Sequence, residues 1–144
     1  MIDSHCHIHS KVFSADPIKA IQDANEAGIE DMVLVGEDID DSKLAKELAG
    51  EHGLMHSIGI HPHHAQKADL EPLVDGAVAI GECGLDYYYM NSPRQDQIDC
   101  LKYQIELAKK QGTLSGRILA KFMNAPSHYI VATLVGNNIA LVIY

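Results

Sequence analysis

The chain has 144 residues, 47% of them apolar, and a formal net charge of -9, the composition of one globular domain able to bury roughly 70% of its unfolded surface. That acidic balance disfavours a generic basic nucleic-acid binder, which neutralises many phosphates with Lys and Arg, although an acidic protein still approaches phosphate where divalent cations supply the positive charge. Three cysteines, Cys6, Cys83 and Cys100, without a CxxC spacing suit a reduced, cytoplasmic setting, and the absence of a leader-like N-terminus or a long apolar run predicts a protein that does not span a membrane.

Ile2 to Ile8 reads as a strand. Alternation puts Asp3, His5, His7 and His9 on one side and Ile2, Ser4, Cys6 and Ile8 on the other. Two neutral imidazoles side by side can chelate a metal, but a half-exposed strand with its polar residues outward explains the pattern equally well. Asp16-Pro17 predicts an N-cap and first helical residue, opening a helix to about Ala27-Gly28. "DMVLVG" (31–36) predicts a buried parallel strand. "DDSKLAKELAGEHG" predicts a helix with Leu44, Ala45 and Leu48 at helical spacing, ending at Gly53.

"LMHSIGI" (54–60) and "GAVAIGE" (76–82) predict two further strands, joined by a helix between His64 and Val74. After Ser92-Pro93, "RQDQIDCLKYQIELAKKQG" predicts a long helix with Ile98, Leu101, Ile105 and Ala108 on one face. The strands begin 23 to 29 residues apart, which suits right-handed parallel crossovers in an α/β fold, either a (β/α) barrel or an open sheet.

The character changes at Gly112. Residues 1–112 carry all 20 acidic residues and nine of the eleven Lys and Arg, leaving only Arg117 and Lys121 for the rest. Where another strand is due, the pattern predicts a short helix near 115–123. "YIVATLV" and "IALVIY" then read as strands joined by a turn at "GNN".

The chemistry-bearing motifs fall where the parallel strands end, the edge at which barrel enzymes place their catalytic groups. "GIHPHHA" (59–65) sets His61 before a proline and His63 in the loop beyond, and "AIGECGLDYYY" (79–89) delivers Glu82 at a strand end, followed by Asp86 and Tyr87. Two imidazoles plus a carboxylate from another strand make a credible dinuclear metal site, since a glutamate can bridge two ions about 3.5 to 4 Å apart.

Taken together, "MIDSHCHI", "GIHPHHA", "GECGLDYYY" and "RQDQIDCLKYQIELA", in this order and at these intervals, resemble the TatD family of metal-dependent deoxyribonucleases, within the amidohydrolase-like barrels. The resemblance covers about residues 1–112. It implies a partial TIM-type (β/α) barrel of about four parallel strands with helices, plus a non-matching C-terminal tail at 113–144. It implies His5, His7 and Glu82 as metal ligands, Glu82 also as the catalytic bridging carboxylate, and a substrate-binding set of His63, His61, Asp86 and Tyr87.

The cofactors implied are divalent metal ions, Mg, Mn or Zn, two in a complete family member. The substrate implied is DNA, hydrolysed at its phosphodiesters and removed exonucleolytically. The tail lacks the later histidine and aspartate strands of the family. A truncated hydrolase of impaired activity is therefore expected, with an open sheet edge that favours homo-oligomers. The alternative is a non-catalytic metal-binding or interaction protein derived from such a barrel. A related amidohydrolase acting on an amide or lactone would share the HxH but not explain "GECGLDYYY". His9, His52, His56 and His64 are expected at the surface or in loops, and His128 has no motif around it.

Overall fold

The computed structural model describes residues 1–10 and 15–111. Strands β1 (Ile2–Cys6), β2 (Asp31–Val35), β3 (Met55–Ile58) and β4 (Ala79–Ile80) form one sheet in the order β1-β2-β3-β4, and all three pairings are parallel. Adjacent parallel strands in sequence order need a crossover between each pair. The first two crossovers are the helices α1 (Pro17–Glu26) and α2 (Ile39–His52).

Both helices start as their sequences dictate. The Asp16 side chain accepts a hydrogen bond from the Lys19 amide at 2.9 Å with Pro17 at the first helical position, and Asp38 does the same for the Asp41 amide at 2.8 Å. α2 stops at Gly53, whose φ of 68° is a left-handed conformation that glycine adopts without a Cβ clash. The core joins Ile21 of α1, Met32 and Leu34 of β2, and Ala45 and Ala49 of α2, with Cys6, Ile8, Leu48 and Leu54 packed against it. Of the predicted face of α2, Ala45 and Leu48 meet the core, but Leu44 is 43% exposed. Small residues replace it because α2 lies close to the sheet. Ser42 sits so near Gly36 that a Cβ there would come within 2.3 Å of its Oγ.

The third crossover corrects the prediction of a helix between His64 and Val74. Two single 3₁₀ turns, Pro62–His64 and Glu71–Leu73, stand in its place. Pro72, inside the predicted helix, lacks an amide hydrogen and its ring would clash with the carbonyl of Ala68, so the loop is tied by side chains instead. Tyr103 Oη accepts from the Leu70 amide at 2.8 Å, and Lys46 Nζ donates to the Leu73 carbonyl at 3.3 Å.

α3 (Arg94–Lys110) follows Pro93 as expected. Met1–Gln104 forms one compact unit, and of the second unit, which begins at Ile105, the described residues are 105–111. Within the first unit α3 buries Gln97, Cys100 and Gln104, while Ile98 and Leu101 are only half-buried. The face at 97, 100 and 104 is polar because its glutamines bind backbone. Among the described residues no helix is long and apolar enough to cross a membrane. The predicted helix and strands of the tail, and His128, lie outside the described residues.

Candidate metal centre

β1 carries an irregularity at the point where its histidines begin. Asp3 is in register with Met32 and Cys6 with Leu34, so three steps along β1 span two along β2, a β-bulge. The Asp3 carboxylate accepts from the His5 amide across it at 3.1 Å. The predicted common face of Asp3, His5, His7 and His9 is broken at both ends: Asp3 closes the bulge, and the strand has already turned at His9, with the Ser10 amide donating to His7 O at 2.9 Å.

His9 lies in the turn after β1, one of the two settings expected from sequence, but it is buried there. Its side chain is 1% exposed and pairs through Nε2 with Asp41 Oδ2 at 3.0 Å. Burial alone would raise the Asp41 carboxyl, but hydrogen bonds from His9 and the Glu37 amide, with the charges of His9 and His7, outweigh it and hold the pKa below the ordinary value. His56 is likewise buried, on β3, whereas His52 and His64 are exposed.

His5 and His7 remain together, with their Nε2 atoms 3.1 Å apart. Glu82, just beyond β4, brings Oε2 to 3.6 Å from His5 Nε2 and 3.9 Å from His7 Nε2. Its backbone is fixed first: the Glu82 amide donates to Gly36 O at 3.1 Å, and the Gly81 amide to Ile58 O at 2.7 Å. Gly59 lies flat against this peptide, where an added Cβ would stand 2.4 Å from Gly81 C and 2.5 Å from Glu82 N.

The donor set fits a divalent cation. Nitrogen and oxygen ligands about 2.0 to 2.2 Å from one ion are roughly 3 to 3.5 Å from each other, which the histidine pair matches and Glu82 slightly exceeds. Glu37, at the end of β2, was missed in the sequence. Its Oε1 lies 3.7 Å from His7 Nδ1 and its Oε2 4.0 Å from His64 Nε2, and its carbonyl accepts from the His61 amide at 2.7 Å. The available signal was positional, since Glu37 follows β2 as Glu82 follows β4.

The "GIHPHHA" and "GLDYYY" loops line the rest of the cleft. His61 Nδ1 accepts from the His63 amide at 3.2 Å, which places its proton on Nε2, 4.0 Å from Glu82 Oε1. Burial lowers the His61 pKa, with His63 acting the same way and the Glu82 charge opposing. His63 Nε2 pairs with Asp86 Oδ2, and this bond chiefly holds the Asp86 carboxyl below its ordinary range. Asp86 Oδ1 accepts from the amides of Tyr88 and Tyr89 at 2.9 and 3.1 Å.

Two glutamines missed in the sequence fix these loops from behind. Gln97 Oε1 accepts from Asp86 N at 2.8 Å, while its Nε2 donates to Asp86 O at 3.0 Å and Ser92 O at 2.8 Å. Gln104 does the same for Ile60, next to His61, at 2.8 and 3.1 Å. The Tyr87 ring lies 4.4 Å from the Arg94 guanidinium carbon.

A family model described as TatD related DNase matches residues 2–114. The chain belongs to that family. The 3'-5' ssDNA/RNA exonuclease TatD of Erwinia amylovora is 35% identical over 118 residues, covering 75% of this chain and 46% of the relative. The uncharacterized metal-dependent hydrolase YabD of Bacillus subtilis is 32% identical over 119 residues, covering 76% and 47%. Among solved structures, the TatD homologue YjjV from Escherichia coli K12 superposes with a TM-score of 0.66 at 28% identity over 76% of this chain and 47% of that one. A TatD family hydrolase from Entamoeba histolytica gives 0.66 at 23% identity over 76% and 46%, a likeness of fold. The chain spans about half the length of the curated relatives it matches.

Proposed function

We propose that His5, His7 and Glu82 bind a divalent cation, Mg, Mn or Zn, in a site that hydrolyses phosphodiesters of single-stranded nucleic acid, removing nucleotides from a 3' end. The observation that carries this reading is the 3.1 Å approach of the two histidine Nε2 atoms with Glu82 facing both. A bound divalent ion supplies a polarised phosphoryl oxygen and a water of lowered pKa. The charge around the cleft supports the same reading. Glu37, Glu82 and Asp86 gather there in a chain of net charge -9, and a phosphodiester approaches such a surface only where cations reverse the local sign.

The remaining roles follow from position. Glu82 is the catalytic carboxylate, His63 holds a substrate phosphate with Asp86 orienting its ring, and His61 presents Nε2–H toward the reacting group. Glu37 orients His7. The printed names of the Erwinia and Bacillus relatives, an exonuclease and a metal-dependent hydrolase, supply the substrate class. Residues 1–112 act as the N-terminal half of a TatD-type barrel and 113–144 as a divergent tail. Three unpaired cysteines favour a cytoplasmic setting.

The test joins calorimetric titration with Mn or Zn to hydrolysis of an end-labelled single-stranded oligonucleotide. Metal binding is expected to vanish in the His5→Ala, His7→Ala double variant, and hydrolysis in Glu82→Ala. Hydrolysis that survives both chelation and Glu82→Ala would overturn the proposal. The second reading, a metal-binding module without turnover, is favoured by the ligand count, since the cluster at Glu82 holds three ligand residues among the described ones. It predicts metal binding with no hydrolysis at any enzyme concentration.

A further inference from the structure

Three consecutive tyrosines follow Asp86, and they stand in different surroundings. Tyr87 lies beneath Arg94. Tyr88 and Tyr89 remain 87% and 67% exposed, although the chain that carries them is firmly held. Both amides donate to Asp86 Oδ1, the Asp86 backbone is bound on both sides by the buried Gln97, and Ser92 Oγ at the loop's far end donates to His63 O at 2.9 Å. Large rings on a fixed backbone contribute little to the core when they stay in water. Their position has to be explained by what they face.

They continue the cleft. The rings of His61 and His63 are 4.4 Å apart, those of His63 and Tyr89 5.7 Å, and those of Tyr89 and Tyr88 4.8 Å. The series starts at His61, 4.0 Å from Glu82, and leads out of the candidate metal centre to solvent. It passes from a group suited to phosphate to two rings suited to flat, uncharged surfaces, and that alternation is the chemistry of one nucleotide.

We propose that Tyr88 and Tyr89 form a base-stacking subsite for the unpaired nucleobase attached to the phosphate at His63. This rests on the phosphodiester reading above and deepens it by assigning base contact to these two tyrosines rather than to Tyr87. Every base has a π-face, so such a subsite is tolerant of sequence. The two rings stand at 88° to each other, so they cannot extend one continuous stack. The subsite takes one or two bases and then releases the strand. A base inside a duplex has both faces covered by its neighbours, which makes the subsite selective for single strands.

The experiment measures binding, by fluorescence anisotropy in Mn, of a labelled oligothymidylate with phosphorothioate linkages and of an abasic oligomer of the same length and backbone. The wild-type chain should bind the base-bearing oligomer at least about tenfold more tightly. Tyr88→Ala with Tyr89→Ala should abolish that difference while keeping the wild-type Mn affinity, and Tyr88→Phe with Tyr89→Phe should keep both. Equal binding of the two oligomers by the wild-type chain, or an undiminished preference in the alanine variant, would overturn the subsite while leaving the phosphodiester reading intact. Failure of both oligomers to bind a chain that binds Mn would overturn the phosphodiester reading and the subsite with it.

Discussion

The side-chain amide of Gln97 makes with the backbone of Asp86 the two hydrogen bonds that a neighbouring β-strand would make, accepting from its N–H at 2.8 Å and donating to its C=O at 3.0 Å. α3 therefore extends the sheet's pattern of backbone pairing past the point where the strands have ended. Gln97→Ala leaves several backbone groups without partners at a cost of about 1 to 3 kcal/mol each, so a loss of at least about 2 kcal/mol in urea unfolding is expected. Gln97→Glu, which has no donor for the two carbonyls, should be no better. A neutral Gln97→Ala would show that the loop holds Asp86 without it.

Gly59 tests how far Glu82 depends on its backbone. A methyl group there meets Gly81 and Glu82 main-chain atoms at 2.4 to 2.7 Å, and main chain cannot rotate away. Gly59→Ala should retain helical circular dichroism and lose Mn affinity by about 10- to 100-fold, the range found when a group supporting a metal ligand is removed. Wild-type affinity, measured by calorimetry, would count against this placement of Glu82.

Glu37→Gln keeps size and removes charge beside His7 Nδ1. We expect Mn or Zn affinity to fall by about tenfold, less than for Glu82→Gln. Equal losses in the two variants would mean that Glu37 itself ligates the ion.

His56 gives a pH prediction away from the cleft. Burial lowers its pKa from the ordinary 6.5, with the charge of Lys46 acting the same way, and its Nε2 has no hydrogen-bond partner among the described residues. As pH falls through about 6.5 the unfolded chain binds a proton that the folded chain still refuses, so acid favours unfolding. The contribution of His56 is present above 6.5 and is lost on acidification toward its lower folded value. In chelator, unfolding free energies at pH 7.5 and 5.5 should differ less in His56→Leu than in the wild-type chain.

A bound ion should also stabilise the fold. At a free concentration one hundred times its dissociation constant, the gain is about 2.7 kcal/mol. Thermal unfolding with and without Mn should show that gain, and the His5→Ala, His7→Ala variant should not.

What could be read from the sequence was local and repetitive. Asp16-Pro17 and Gly53 mark helix ends through chemistry contained in a few residues, and the apolar run at 31–35 admits only a buried strand. Glu82 was legible because it ends a strand within a dense motif. Glu37 obeys the same rule without a motif, and Gln97 and Gln104 read as the wet side of an amphipathic helix, because a buried glutamine is intelligible only once the backbone it binds is known. His56 was misplaced and the burial of His9 unforeseen for a related reason: imidazole is compatible with core or surface, and the partner or strand that decides is distant or shared. The helix predicted at 64–74 failed because it was placed to join two strands without weighing Pro72 inside it.

The irregular register of β1 decides which way the histidines look. Had the ladder run on evenly from Asp3 opposite Met32, His5 would have stood opposite Leu34, and imidazole would have met the hydrocarbon of Ile21, Ala45 and Ala49. The extra residue instead puts Cys6 opposite Leu34, where the thiol joins the core, and rotates both histidines to the other side of the sheet. With Asp3 held opposite Met32, the histidine pair faces Glu82 because this strand is imperfect by one residue.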